Sequence, residues 1–102
     1  MRALIAGIFC LGASLAHANE IEAGKLKARS CAVCHGLEGV STNPIAPNLA
    51  GQPRMYLIEQ LKAYRDGKRE NAVMAVIAKP LTDQEISDLS AWYASNQIEL
   101  KK

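Results

Sequence analysis

Cys31-Ala32-Val33-Cys34-His35 sets two thiols three residues apart, with an imidazole directly after the second. Three chemistries use such a cluster: a redox dithiol, part of a zinc site, or covalent attachment of haem through both sulfurs. A thioredoxin-like dithiol needs a βαβ context, and no segment of this chain alternates apolar and polar residues with a period of two. A structural zinc ion takes four ligands, usually cysteine or histidine. Beyond the N-terminal segment described below, the chain holds only Cys31, Cys34 and His35 for that purpose, crowded into five positions. A disulfide between the two cysteines would close too small a loop to stabilise much, and it leaves His35 without a task. Haem attachment uses every residue of the cluster. On a helical turn the i, i+3 spacing turns both thiols to one face, where they can form thioethers with two vinyl groups. His35 then offers Nε2 as the proximal iron ligand, and its other nitrogen should find a backbone carbonyl to orient the ring.

The N-terminus bears on how much chain is left to build such a site. Residues 1–18 have one early positive charge, Arg2, an apolar run over residues 3–15, and Ala-His-Ala at the end. This is the layout of a secretory signal peptide cut after Ala18, and the run is short for a membrane span. Cys10 reads as filler within the apolar stretch. Taking 18 residues from 102 leaves a domain of 84, residues 19–102, with 11 Lys+Arg (Arg2 removed from 12) against 10 Asp+Glu. Near-neutrality, with no basic cluster carrying interleaved aromatics, argues against nucleic acid as a partner. Export implies the periplasm, and no stable membrane insertion is expected.

So short a chain rarely completes a core unaided. Phe9 leaves with the signal, so the remaining rings are Tyr56, Tyr64, Trp92 and Tyr93. A large apolar cofactor would supply what this core lacks.

The elements that must position the cluster read as helices. Ile21, Gly24, Leu26 and Ala28 suggest an amphipathic helix running over residues 20–34, with Asn19 as its N-cap. Residues 36–52 hold three Gly, two Pro and two Asn; a loop of that length is usually functional or wrapped around something. Pro53 suits the first position of a second helix, with Leu57, Leu61 and Tyr64 at i, i+4, i+7 and Gly67 at its end. A short apolar piece, residues 72–78, stops at Pro80. Thr82 and Glu85 form a capping-box pattern ahead of the stripe Ile86, Leu89, Tyr93, with Trp92 on its flank. The fold class is therefore all-α, three main helices with long loops.

A sixth iron ligand is the remaining question. With one histidine outside the signal, the candidates are Met55, Met74, a lysine or an open position. Met55 lies inside the second helix, where methionine is commonly packing. Met74 lies in a separate element and can approach from the side opposite His35, which favours it.

The runs "GKLKARSCAVCHGLEG", "PNLAGQPRMYLIEQLKAYRDGKR" and "MAVIAKPLTDQEISDLSAWYAS", in that order, resemble the small bacterial class I cytochromes c of the cytochrome c-553 type. They also resemble one half of the dihaem periplasmic cytochromes c. The resemblance covers nearly all of residues 22–96. It implies a class I cytochrome c-like fold around one covalently bound haem c. By that resemblance Cys31 and Cys34 are the thioether cysteines, His35 the proximal ligand and Met74 the distal ligand. Pro47 is the residue whose carbonyl orients the histidine, and Leu49 packs on the haem. Trp92 stands where many relatives have Tyr or Phe. Gln52 and Arg54 are the candidates for the propionate contacts.

The same resemblance implies an electron carrier, not an enzyme, cycling Fe(III)/Fe(II) between transient redox protein partners, as a monomer. Two other functional classes remain open: a haem subunit of a larger dehydrogenase or oxidase, and a haem sensor or enzyme with a labile sixth ligand. Lys25 with Arg29, and Lys62 with Arg65 and Arg69, are basic at helical spacings. Glu22, Glu59, Asp66 and Glu70 interleave with them, so they read as solvated faces.

Overall fold

Gly24 and Ala28, one turn apart, are buried where the first long helix, α1 (Arg2–Lys27), crosses the last, α5 (Asp83–Ser95). The computed structural model describes residues 2–99, with side chains from Leu15 onward, so Cys10 and Phe9 lie outside the described side chains. A Cβ on Gly24 would overlap the Asp88 carbonyl and stand 2.9 Å from Trp92 Cβ. Only glycine lets the two backbones approach this closely. Lys27 pairs with Glu85 at 2.7 Å across the same crossing.

The helix expected over residues 20–34 is broken in the structure. α1 ends at Lys27, a 3-10 turn follows over Ala28–Ser30, and one further turn, α2 (Ala32–His35), carries the cysteine cluster. Asn19 lies inside α1 and is no cap. Leu26 is 57% exposed, because a seam through Gly24 and Ala28 turns it away from the crossing.

The third helix, α3 (Arg54–Arg65), starts one residue later than the sequence suggests, with Pro53 as N-cap. Its end is closed by Gly67 at φ +76° and by Lys68 N–H donating to the Ala63 carbonyl at 2.8 Å, a Schellman-type bond. A short fourth helix, α4 (Ala72–Ala78), packs on α3. Asn71 caps it, its Oδ1 accepting from Val73 N at 3.1 Å and Met74 N at 3.0 Å.

At α5 the capping box forms as read. Thr82 Oγ1 accepts from Glu85 N at 3.1 Å, and Glu85 Oε1 accepts from Thr82 N at 3.0 Å. Ile86, Leu89 and Tyr93 are buried against Ala28, Leu57, Ala78 and Leu81, and this cluster is the core. No strand occurs among the described residues.

Residues 36–52 carry no helix, yet hydrogen bonds fix them to α5. Trp92 Nε1 donates to Leu37 O at 2.7 Å, Asn96 Nδ2 to Glu38 O at 2.9 Å, and Gly51 N to Tyr93 O at 3.0 Å. The loop therefore holds a defined shape despite its length.

Two carboxylates at the start of α5 tie stability to pH. The hydrogen bond from Arg65, then the charge of Lys62, hold Asp83 below the usual carboxylate range. Lys27, then the Thr82 backbone, do the same for Glu85. Folded values below the unfolded ones add stability that is present above about pH 4 and is lost as pH falls through the folded values. Thermal melts of the parent and Glu85→Gln, run at pH 6 and pH 3, should show a smaller acid-induced drop in the variant. Thr82→Ala, which removes the cap, should cost about 1 kcal/mol at neutral pH.

Candidate functional site

The α2 turn presents Cys31 and Cys34 on one side and Val33, 85% exposed, on the other. Both cysteines are free and half-buried. Burial pushes the Cys31 thiol up, against smaller lowering contributions from Ser30, Tyr93 and Lys27. His35 closes the turn, 8% exposed. Gly36, at φ +78°, then redirects the chain into the loop.

That loop comes back over the histidine. Pro47 O lies 2.8 Å from His35 Nδ1. A carbonyl only accepts, so Nδ1 is the donor in this contact. The imidazole is thereby held in one orientation, as a metal-binding histidine requires. Ser41 Oγ donates to the Cys34 carbonyl at 2.8 Å, and Asn48 Oδ1 accepts from Ser41 N at 2.7 Å, which fixes the loop against α2.

Cys31, Cys34, His35, Pro47, Leu49 and Met74 all line one cavity of about 400 Å³. Its floor and walls are the apolar stripe of α3 (Leu57, Leu61, Tyr64) and the inner face of α5. Met55 is 65% exposed and does not line the cavity. Of the two residues considered for propionate contacts, Gln52 lines it and Arg54 does not. The Arg54 guanidinium is bound to Glu20 Oε2 and Ser87 Oγ, each at 2.7 Å, where it joins α1, α3 and α5.

Three features escaped the sequence reading. Arg69 lines the cavity, its guanidinium 4.7 Å from the Tyr64 ring centroid and bonded to Gln60 at 2.6 Å, and among the described residues no carboxylate lines the same wall. Asn71 fixes the backbone of Met74; an Asn directly before an apolar run is a cap signal that could have been read. Ser90 and Tyr93, 0% and 3% exposed, turn hydroxyls with no hydrogen-bond partner toward this region. Leaving a buried hydroxyl unpaired costs about 1–3 kcal/mol. Burial, then Cys31, pushes the Tyr93 hydroxyl well above the usual phenol range, so it stays protonated.

The residues fit a haem. Two thiols stand on one face beside an oriented imidazole, and a thioether side chain lies in the same cavity. The walls are apolar, and one cation with amides suits two carboxylates. The match to the family model described as Cytochrome c runs over residues 21–97. The chain belongs to the cytochrome c family.

This cytochrome c is 42% identical over 83 residues to cytochrome c-554(548) of Halomonas halodenitrificans, covering 78% of the chain and all of that protein. It is 38% identical over 99 residues to cytochrome c4 of Pseudomonas aeruginosa, covering 95% of the chain and 49% of the relative. The crystal structure of reduced recombinant cytochrome c4 from Pseudomonas stutzeri superposes with a TM-score of 0.71 at 35% identity, over 74% of this chain and 45% of that one. The chain thus spans the whole of one relative and about half the length of the cytochromes c4. The fold is the all-α class I cytochrome c fold, and the cofactor is one covalently attached haem c. This chain is a c-type cytochrome unit for electron transfer. Among the described residues, no helix is long and apolar enough to cross a membrane.

Proposed function

We propose that this chain is a periplasmic electron carrier that works as a free monomer between transient partners and has no substrate chemistry of its own. Cys31 and Cys34 would form the thioethers, His35 and Met74 would hold the iron, Pro47 would orient the histidine, and Leu49 would pack on the ring. The observation that carries this reading is the convergence of Cys31, Cys34, His35 and Met74 on one apolar cavity, with His35 Nδ1 held by Pro47 O at 2.8 Å.

Haem bound there supplies an iron that takes up and releases one electron. The chain's residues decide how easily it does so. With Nδ1 fixed on the Pro47 carbonyl, the His35 ring would need no rearrangement to offer Nε2. The apolar wall of Leu49, Leu57, Leu61 and Leu89 excludes water and disfavours the more charged oxidised form, which raises the potential. Methionine ligation raises it further. With His35 and Met74 both holding the iron, oxygen and peroxide would find no position to bind.

Residues 1–18 are the signal peptide in this reading. Support comes from the family match, which begins only at residue 21, and from the exposure of Leu15, Ala16, His17 and Ala18. The domain then comprises residues 19–102.

The full chain should be expressed with a cytochrome c maturation system and recovered from the periplasmic fraction. The expected product starts at Asn19, elutes as a monomer, retains haem after acid-acetone extraction, and shows no spectral response to carbon monoxide. Cys31→Ser/Cys34→Ser should lose the haem on extraction. Parent protein without covalent haem would overturn the assignment of the two cysteines. Immediate carbon monoxide binding would replace the carrier with a sensor or enzyme.

A further inference from the structure

Tyr93 stands on α5 with its ring in the core, and its hydroxyl is buried without a hydrogen-bond partner. Phenylalanine would fill the same space without stripping water from a polar group. The hydroxyl therefore needs a partner that the polypeptide alone does not supply. The nearest indication of that partner is Cys31, which lines the same cavity and packs against the same core cluster. Tyr93 and Cys31 lie close enough for their side chains to perturb each other's ionisation.

Attachment of haem changes what the Cys31 sulfur can do. A thiol has its own hydrogen to place; a thioether sulfur has none and can only accept. A phenol that stays protonated can only be the donor to it. We propose that, in the haem-loaded protein, the Tyr93 hydroxyl donates a hydrogen bond to the thioether sulfur of Cys31. This rests on the assignment of Cys31 as a thioether cysteine. Tyr93 is thus a positioning residue, acting on the haem through the sulfur. Ser41 Oγ is already spent on the Cys34 backbone carbonyl at 2.8 Å, so that hydroxyl is no donor to the Cys34 sulfur. A donor at one sulfur draws electron density from that edge of the ring and favours the reduced state.

The test compares the holoprotein with its Tyr93→Phe variant, which keeps the ring and removes the donor. The midpoint potential, measured by spectroelectrochemistry, should fall in the variant. On the wild type, resonance Raman spectra in H2O and D2O should show an isotope shift in the C–S stretch of one thioether, and Tyr93→Phe should abolish that shift. An unchanged potential, with no isotope-sensitive C–S band in the wild type, would overturn the proposal. So would a nuclear Overhauser contact placing the hydroxyl proton against a propionate. The wild-type isotope measurement decides the matter even where the variant matures poorly. A failure of the broader reading is told apart at once, because the parent would then carry no covalent haem.

Discussion

Gly24→Ala lowers the thermal midpoint of the holoprotein by roughly 8–16 °C, followed by circular dichroism in the helix region. Two effects of opposite sign decide this. Alanine is the better helix former and stabilises α1 by about 1 kcal/mol. Its methyl group, however, would overlap the Asp88 carbonyl and press on Trp92 Cβ at 2.9 Å. A crowded side chain can often change rotamer, but a backbone carbonyl inside a helix cannot. The cost therefore lies at or above the top of the ~1–3 kcal/mol range for overfilled cores. A net loss of about 2 kcal/mol remains, a large part of what a domain of this size possesses. Lys27 and Glu85 are displaced by the same movement, so the variant should also respond less to acid. A Gly24→Ala protein as stable as its parent would show that α1 and α5 part at little cost.

Met74→Ala should retain its covalent haem while losing the sulfur-to-iron charge-transfer band, gaining carbon monoxide binding, and falling in potential. Axial ligands command a range of ~0.8 V, so a drop on the order of hundreds of millivolts is expected. Met55→Ala is the control: Met55 is 65% exposed and outside the cavity. Its spectra and potential should match those of the parent. A charge-transfer band that survives in Met74→Ala and disappears in Met55→Ala would reverse the choice between the two.

What could be read in the chain beforehand follows from how local each determinant is. The cysteine cluster, the Thr82–Glu85 box and the stripe of α5 occupy a few adjacent turns, and they carry their meaning without knowledge of the rest of the fold. Met74 lines the cavity and Met55 does not, and the position of each within its own element already set the two apart. The broken helix at residues 28–31 was hidden, because Leu26 belongs to an apolar pattern that the crossing at Gly24 does not use. Where α1 faces is set by Asp88 and Trp92, more than sixty residues away, and no local periodicity contains that. Arg54 looked available for a carboxylate because its partners Glu20 and Ser87 come from two other helices. Arg69 was treated as a solvated charge for the converse reason: only the folded chain brings it to the cavity beside Tyr64.

The construction of α4 bears on how the molecule opens. Seven residues make barely two turns, too few to persist alone in water. Val73 and Val76 are 64% and 72% exposed, so the segment is held down by buried Ala78 and the half-buried Met74, Ala75 and Ile77. Its anchors are the Asn71 cap, buried Ala78, and the side chains of Met74 and Ile77 in the cavity. Such a segment is where native-state amide exchange begins, well below the free energy of global unfolding. Whatever grips Met74 from inside also slows that exchange, and by linkage a looser α4 weakens the grip in return. If Met74 holds the iron as proposed, deuterium uptake across α4 would gauge how firmly it does so.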